Sequence, residues 1–330
     1  MNAAPLSAAS PDMTIPLLVL IESVQDYLPE IEARGFRVIY APTAASRAQA
    51  IRDHGHEVRI VLTRGATGLR ADEIAAMPAL EIACSLGVGY ENIDLAAAAE
   101  HGVVVTNGPG ANAVSVADHA MALLLGAARR LPQADAAVRQ GHWSGFMGPQ
   151  ISGKRLGILG LGTIGLEIAR RGAHGFGMRV GYYSRRVRPD TGYAYFDSPR
   201  ALAAASDFLV VATPGGAQTR HLVNADVLEA LGPEGYLVNI ARGSVVDTDA
   251  LIAALSARRI AGAGLDVVDG EPDVPKALIA LDNVVLTPHS AGRSPEAVHA
   301  TVTLFLDNAT AHFAGKPVLT PVRQDVAAAS

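Results

Sequence analysis

The segment "LGILGLGTIGLEIAR", residues 156–170, decides the fold of this chain. A short apolar run, Leu156–Leu159, leads directly into a G-x-G-x-x-G pattern, which is followed by an amphipathic stretch. In such a strand–turn–helix unit the glycines permit a tight turn, close approach of backbone amides to a pyrophosphate, and close packing of the helix on the strand. The segment therefore predicts a dinucleotide site. Its contacts are expected from six consecutive residues: Gly160, Leu161, Gly162, Thr163, Ile164 and Gly165.

Short β-branched runs alternate with alanine-rich stretches on both sides of this segment. Candidate strands precede it at 17–21, 37–40, 59–62, 81–85 and 103–106, and follow it at 180–183, 208–212, 236–240, 262–267 and 284–286. Strands separated by helices are typical of parallel sheets that are covered on both faces. The predicted fold class is therefore α/β, with two Rossmann-like, doubly wound parallel sheets.

The length of 330 residues is too great for one ordinary core and suits two domains. Two long helical segments mark the boundaries, and the second begins with Ser294 as its N-cap and Pro295 at its first helical position. If this last helix returns to the first domain, the second domain is an insertion. We predict a flexible tail at 1–13, a flavodoxin-like substrate domain at 14–110 and 296–330, and a Rossmann domain at 111–295.

The composition argues against several classes of partner. A net charge of −5 and a pI of about 6.1 disfavour a nucleic-acid binder that relies on a general basic surface. No apolar run approaches the length that spans a bilayer, so no membrane contact is expected. None of the ten histidines has metal-ligand spacing with a carboxylate or thiol, so no metal is expected. The single cysteine, Cys84, permits no disulfide framework and favours a reducing cytoplasm.

The segment "GYYSRR", residues 181–186, places cations where an acid usually binds the adenosine ribose of a dinucleotide. Ser184 offers a hydroxyl donor, and Arg185 and Arg186 offer cationic forks, which together suit a 2′-phosphate. A solvated basic loop is the alternative, because the basic run continues to Arg188. We favour the phosphate interpretation and predict NADP(H), preferred over NAD(H), as the cofactor.

Three later segments place polar residues just beyond strands: Arg242 in "NIARGSVVD", Asp266 and Glu271 in "GLDVVDGEP", and His289 in "TPHSAG". Ligands of an open parallel sheet bind outside the carboxyl ends of its strands, so these residues are expected to face one crevice. Reduction of a 2-keto acid needs an arginine for the carboxylate, a histidine as proton donor and an acid to orient the imidazole. Taken singly, an ordinary ion pair or structural histidine is the alternative, and we interpret His119, in a boundary helix, as a packing or hinge residue.

These motifs, with "SLGVGYENID", make the chain resemble the D-isomer-specific 2-hydroxyacid dehydrogenases from about residue 17 to 322. The resemblance implies substrate binding by Arg242, a catalytic Glu271–His289 pair and usually a homodimer. It implies that the substrate carboxylate meets the loop formed by Leu86, Gly87, Val88 and Gly89. Further cofactor contacts that it implies come from Thr213, Pro214, Ile240, Ala241, Asp266 and Ala291.

Within that family, "YYSRR" is similar to the NADPH-preferring reductases of glyoxylate, hydroxypyruvate and related keto acids. We therefore expect NADPH-dependent reduction of a small 2-keto acid to a D-2-hydroxy acid. Glyoxylate, hydroxypyruvate, arylpyruvates and sugar-derived keto acids stay open as substrates. Trp143 and Phe146, in residues 141–148, stay open between interface packing and contact with a partner subunit's active site. The competing interpretation is a non-catalytic dinucleotide-sensing protein of the same fold.

Overall fold

The computed structural model describes residues 14–143 and 145–323 of the chain. The predicted flexible tail at 1–13 lies outside the described residues. Within them the chain forms two compact units. The first unit consists of residues 14–112 and 293–323, and the second unit consists of residues 113–292. Each unit has its own sheet and its own apolar core.

Strands and helices alternate along most of the described chain. The strands are β1 (Ile15–Val19), β2 (Phe36–Tyr40), β3 (Ile60–Thr63), β4 (Ile82–Ser85), β5 (Val104–Thr106), β6 (Arg155–Leu159), β7 (Arg179–Tyr183), β8 (Ala194–Tyr195), β9 (Phe208–Val211), β10 (Tyr236–Asn239), β11 (Gly262–Leu265) and β12 (Val284–Leu286). The helices are α1 (Leu28–Ala33), α2 (Ala44–His54), α3 (Ala71–Ala75), α4 (Leu95–Glu100), α5 (Ala113–Arg129), α6 (Leu131–Arg139), α7 (Thr163–Arg170), α8 (Pro199–Ala204), α9 (Ala225–Leu231), α10 (Thr248–Ser256), α11 (Lys276–Ile279) and α12 (Pro295–Phe313).

The first unit is built on a five-stranded parallel sheet in the order β2-β1-β3-β4-β5, which is the flavodoxin-like order. Helix α12 packs on one face of this sheet, where Val302, Phe305 and Leu306 are buried against apolar residues of β1, β3 and β4. Ser294 caps α12 by accepting a hydrogen bond from the amide of Ala297, and proline opens the helix, as the sequence predicted.

The second unit is built on a seven-stranded parallel sheet in the order β12-β11-β10-β9-β6-β7-β8. This is the Rossmann order extended by one strand, so the predicted α/β class with two parallel sheets is confirmed. The winding reverses between β6 and β9, and the loops after these two strands border the crevice where open α/β sheets bind ligands. The edge strand β8 was not predicted, because two residues are too few to show a periodic pattern.

Helix α5 lies close to the sheet of the second unit and packs against β10, β11 and β12. Glycine makes this possible, because a Cβ on Gly264 of β11 would lie 2.9 Å from the Cβ of Leu123 in α5. Ala117 and Ala120 of the same helix are fully buried. The helix ends at Arg129 rather than continuing, since Arg130 adopts a left-handed conformation with φ of 51° before α6 begins.

Candidate active site

The turn after β6 has the geometry that its three glycines predict. Gly160 has φ of +102°, and a Cβ there would lie 2.8 Å from the carbonyl oxygen of Ala212, which follows β9. A Cβ on Gly165 would overlap the carbonyl oxygen of Gly160, so α7 begins directly against the turn. A Cβ on Gly162 would meet open space, so nothing crowds the backbone there. The turn therefore fits a pyrophosphate at a helix N-terminus.

The segment after β9 borders the same turn. Thr213 has a buried Oγ1 atom without a hydrogen-bond partner in the part of the chain that the structure describes. Buried polar atoms normally have partners, so this hydroxyl is available to a water or to a bound molecule. Pro214 has a carbonyl oxygen that accepts from Oγ1 of Thr219 at 2.8 Å, which folds the segment into a compact turn. Both residues thus suit a dinucleotide that extends from the glycine turn.

Ser184, Arg185 and Arg186 follow β7, which pairs in parallel with β6, so their loop lies beside the glycine turn. Ser184 donates through Oγ to the carbonyl oxygen of Arg186 at 2.5 Å. Arg185 donates through Nη1 to Oε1 of Gln218 at 2.9 Å. Both arginines are exposed. On binding a phosphate, these side chains would give up weak, exposed contacts and form charge-assisted hydrogen bonds to it.

Arg188 is a residue that the sequence interpretation passed over. It donates through Nη1 to the carbonyl oxygen of Leu161 in the glycine turn at 3.3 Å, and it pairs with both carboxylate oxygens of Asp190. The backbone amide of Arg188 also donates to the hydroxyl of buried Tyr182 at 2.7 Å. These contacts brace the arginine loop against the glycine turn. The basic run "RRVRPD" was the only available signal, and it does not distinguish Arg188 from its neighbours.

Arg242 lies in a turn beyond β10 that a buried amide holds in place. Asn239 donates through Nδ2 to the carbonyl oxygen of Arg242 and accepts at Oδ1 from the amide of Ala241, both at 3.0 Å. The guanidinium donates through Nη1 to the carbonyl oxygen of Ala241 at 2.7 Å. The stem of the side chain passes Gly215, where a Cβ would lie 2.7 Å from Cγ of Arg242. A Cβ on Gly243 would overlap the backbone of the segment leading to Glu271.

Glu271 and His289 form a hydrogen-bonded pair, with 2.5 Å between Oε1 and Nδ1, and both side chains are partly exposed. Burial raises the pKa of the Glu271 carboxyl, but the hydrogen bond to His289 and the charges of His289 and Arg242 outweigh it, so the pKa lies below its usual value. The carboxylate therefore stays ionised near neutral pH. Nε2 of His289 makes no hydrogen bond to any described residue, which leaves this atom for a ligand.

The loop that carries His289 wraps around the carboxylate of Asp266, a residue only 2% exposed. Oδ1 accepts from the hydroxyl of Thr287 at 2.6 Å and from the amide of Ser290 at 2.9 Å, and Oδ2 accepts from the amide of Ala291 at 3.0 Å. Burial raises the pKa of this carboxyl, but hydrogen bonds from a histidine side chain, Thr287 and the loop amides lower it to about 2. His289 itself has φ of 50°, a conformation that non-glycine residues rarely adopt.

Four of the residues expected to contact the cofactor are already engaged within the protein or buried. Both carboxylate oxygens of Asp266 accept protein hydrogen bonds. Ala241 and Ala291 each use both their amide and their carbonyl internally. Ile240 has a buried side chain. The cofactor contacts of these four residues stay a prediction. The structure adds that Ala241, Asp266 and Ala291 hold the Arg242 turn and the His289 loop in shape.

The loop after β4 in the first unit has a regular hydrogen-bond pattern. The carbonyl oxygens of Gly87, Val88 and Gly89 accept, respectively, from the amide of Gly108 at 2.8 Å, Nδ2 of Asn107 at 2.7 Å and Oγ of Ser85 at 2.5 Å. The neighbouring residue Leu86 is buried and joins the core. The amides of the three loop residues have no acceptor among the described residues, so they are available to an anion.

Two further observations concern metal ions and membranes. Within residues 14–143 and 145–323, no group of three or more His, Cys, Asp or Glu side chains could hold a metal ion. No helix in the described chain combines the length and the apolar character needed to cross a membrane.

A Rossmann unit whose glycine turn and carboxylate–histidine pair follow the carboxyl ends of strands in one parallel sheet is typical of dehydrogenases that use a nicotinamide dinucleotide. Residues 121–291 match the family described as D-isomer specific 2-hydroxyacid dehydrogenase, NAD binding domain. The chain belongs to the D-isomer-specific 2-hydroxyacid dehydrogenase family. The predicted family and the oxidoreductase class are confirmed.

Relatives resemble this chain along almost its whole length. It is 42% identical over 299 residues to a hydroxyphenylpyruvate reductase of Plectranthus scutellarioides, covering 90% of this chain and 95% of the relative. It is 42% identical over 296 residues to glyoxylate/hydroxypyruvate reductase A of Arabidopsis thaliana, covering 89% and 94%. The structure of the NADPH-dependent glyoxylate/hydroxypyruvate reductase of Sinorhizobium meliloti, in complex with NADP and malonate, is similar with a TM-score of 0.84, 41% identity, and coverage of 94% of this chain and 98% of that chain.

Proposed function

We propose that this protein reduces small 2-keto acids to D-2-hydroxy acids and uses NADPH in preference to NADH. The observation that carries the proposal is the pairing of Glu271 with Nδ1 of His289, which leaves Nε2 for a substrate. The strand end with Arg242 adds a cation near this pair. Relatives named glyoxylate/hydroxypyruvate reductase and hydroxyphenylpyruvate reductase support reduction of a keto acid.

Each of the three residues has a distinct chemical task in this proposal. Arg242 offers planar, cationic donors to the carboxylate and the keto oxygen of the substrate. His289 donates a proton from Nε2 to the keto oxygen as it becomes a hydroxyl. Glu271 stays ionised, keeps the proton on Nδ1 and stabilises the imidazolium before that transfer. NADPH, when bound, supplies the hydride equivalent that the keto carbon receives.

The cofactor would lie along the carboxyl edge of the second unit's sheet. The glycine turn, residues 160–165, would hold the pyrophosphate, and Thr213 and Pro214 would border the adenosine. Ser184, Arg185 and Arg186 would hold the 2′-phosphate through charge-assisted hydrogen bonds. The preference for NADPH is supported by the two exposed arginines at a strand end that carries no acid. Ile240, Ala241, Asp266 and Ala291 are proposed to border the cofactor, and Ala241, Asp266 and Ala291 hold the Arg242 turn and the His289 loop in shape.

In the first unit, the loop of Leu86, Gly87, Val88 and Gly89 is proposed to receive the substrate carboxylate. Its carbonyl oxygens are engaged internally, which leaves the amides as the polar groups that it can offer. Backbone amides in such a turn are suited to small anions of varied shape. The loop therefore accounts for recognition of the carboxylate, which all candidate keto acids share, rather than for choice among them.

We also propose a homodimer in a reducing, cytoplasmic setting. Trp143 and Met147 are 91% and 99% exposed in the segment after α6, and the proposal is that a second copy of the chain covers these large apolar side chains. Cys84 is buried in β4, and burial raises the pKa of its thiol to about 12, so it is protected from oxidation through a thiolate. The oligomer can be checked by light scattering of the purified protein.

The experiment that tests the function is an assay of NADPH oxidation with glyoxylate, hydroxypyruvate, an arylpyruvate and a sugar-derived keto acid. We expect turnover with at least one of them and a product of D configuration, resolved by chiral chromatography. NADPH binding should be measured on the same preparation by fluorescence. Tight NADPH binding without turnover of any keto acid would contradict the proposal and support the dinucleotide-sensing alternative.

A further inference from the structure

We propose that His119 is a positioning residue for the loop that carries His289. The inference rests on the proposed function only in taking His289 as the proton donor. His119 lies in α5, and its Nε2 is 2.9 Å from Oγ1 of Thr287, at the start of that loop. Its side chain is 24% exposed, so the contact is largely shielded from water. The packing interpretation from the sequence therefore missed a polar contact.

The direction of this hydrogen bond follows from its neighbours. Thr287 has one hydroxyl hydrogen and donates it to Oδ1 of Asp266 at 2.6 Å. Oγ1 of Thr287 has no second hydrogen to donate, so it can only accept from His119. Nε2 of His119 must therefore carry a proton. Nε2 also lies 3.4 Å from Oδ1 of Asp266, so one N–H faces both the hydroxyl and the carboxylate. His119 thus connects α5 to the anion around which the loop is wrapped.

The carboxylate of Asp266 depends on such partners because a buried charge is costly unless it is paired and hydrogen-bonded. His119, whose Nε2 lies 3.4 Å from Oδ1, is the first of the groups that lower the pKa of Asp266. The same carboxylate accepts from the amides of Ser290 and Ala291, which directly follow His289. The amide of His289 donates to the carbonyl oxygen of Asp266 at 2.8 Å. Loss of His119 would therefore loosen the loop on both sides of the proton donor.

Three variants of the full-length protein test this with NADPH and the best keto acid at saturation. His119→Leu fills space but cannot donate, and we expect kcat to fall about tenfold or more, because a small misplacement of a catalytic group has effects of this order. The KM for NADPH should not change. His119→Gln keeps a donor that can reach Thr287 and should recover most of kcat. Asp118→Asn, next to His119 on α5, breaks an ion pair with Arg171, which directly follows α7, and should leave kcat unchanged.

A double-mutant cycle tests the route through Thr287. Because His119 acts on the loop through that hydroxyl, His119→Leu and Thr287→Val should be non-additive, with the double variant no slower than the slower single variant. Additive losses would overturn the inference. So would an unchanged kcat in His119→Leu, or a loss that His119→Gln does not repair.

Hydrogen–deuterium exchange separates this inference from the proposed function. Amides in the peptide that contains residues 287–291 should exchange faster in His119→Leu than in the parent or in Asp118→Asn. Equal exchange would overturn the role of His119, whatever the turnover. An active His289→Ala variant would instead overturn the proposed proton donor, and the exchange result would still decide whether His119 holds the loop.

Discussion

Two loops of the second unit serve the proposed reaction, and they are built on opposite principles. Residues 287–291 surround a carboxylate that is 2% exposed and that receives bonds from a hydroxyl and two amides. Residues 184–186 carry two exposed arginines, held by few exposed contacts. Proton transfer requires hydrogen-bond distance between defined atoms, whereas a cation attracts a phosphate over a longer range. The denser hydrogen bonding is therefore found in residues 287–291, where the distance between proton donor and substrate decides the rate.

The largest expected effect comes from the rigid loop. His289→Ala should lower kcat by about two to four orders of magnitude, the usual range for removal of a general acid. His289→Gln should be similarly impaired, because an amide side chain keeps a polar group but does not donate a proton to the product. Steady-state kinetics with the best keto acid provide the measurement. Coenzyme affinity, measured by fluorescence, should stay close to that of the parent, and near-normal turnover would remove His289 from the mechanism.

The exposed loop should control selectivity rather than turnover. Ser184→Asp combined with Arg185→Ala and Arg186→Ala removes two or three charge-assisted hydrogen bonds worth about 1.5–3 kcal/mol each, so the NADPH-to-NADH ratio of kcat/KM should fall about a hundredfold or more. The new carboxylate repels the phosphate and suits the ribose of NADH. Arg200 is an exposed arginine of α8, so Arg200→Ala is the matched control for loss of a positive charge elsewhere on the surface.

Three outcomes separate the possibilities for this triple variant. Turnover at saturating coenzyme should change less than selectivity, since the loop follows β7 and the proton donor follows β12, with four strands between them in the sheet. High salt should weaken NADPH binding more than NADH binding, because exposed charges are screened. A parent protein that prefers NADH, or a variant whose preference does not move, would show that the arginines are only a solvated surface.

The smallest effect concerns stability rather than rate. The pKa of Asp266 falls from 3.8 to about 2 on folding, so its carboxylate stabilises the fold by about 2 kcal/mol at neutral pH. Because the folded pKa is depressed, this contribution is present above about pH 4 and is lost as the pH falls toward 2. Asp266→Asn should lower the free energy of unfolding, and the gap to the parent should narrow by roughly 1 kcal/mol between about pH 6 and about pH 3. Urea titrations at both pH values measure the free energy of unfolding. A difference between parent and variant that is equal at both pH values would contradict the lowered pKa of Asp266.

Local pattern made much of this molecule predictable from sequence. The glycine turn, the ends of most strands and the cap at Ser294 depend on residues close together in the chain, and they were located within a few positions. Helix α6 was not predicted, because it follows α5 with only Arg130 between them, and Arg130 takes a left-handed conformation without being glycine.

The contacts that shape the site were less accessible to sequence reasoning. His119 and Thr287 are 168 residues apart, Arg185 and Gln218 are 33 apart, and Arg188 and Leu161 are 27 apart. Each pair meets only because the sheet order brings distant strand ends together. A pattern of charges or glycines can therefore indicate which chemistry is present, but not which side chains hold it in place.

Helix α12 has a consequence for how the chain is made on a ribosome. Residues 113–292 form the second unit as one continuous segment, so all of its strands emerge before α12 does. The first unit must wait, because Val302, Phe305 and Leu306 complete one of its cores and Val322 joins the other. Until translation reaches them, five finished strands carry an uncovered apolar face, which is the kind of surface that chaperones bind. The part of the chain that is translated first, up to residue 112, thus belongs to the unit that finishes folding last.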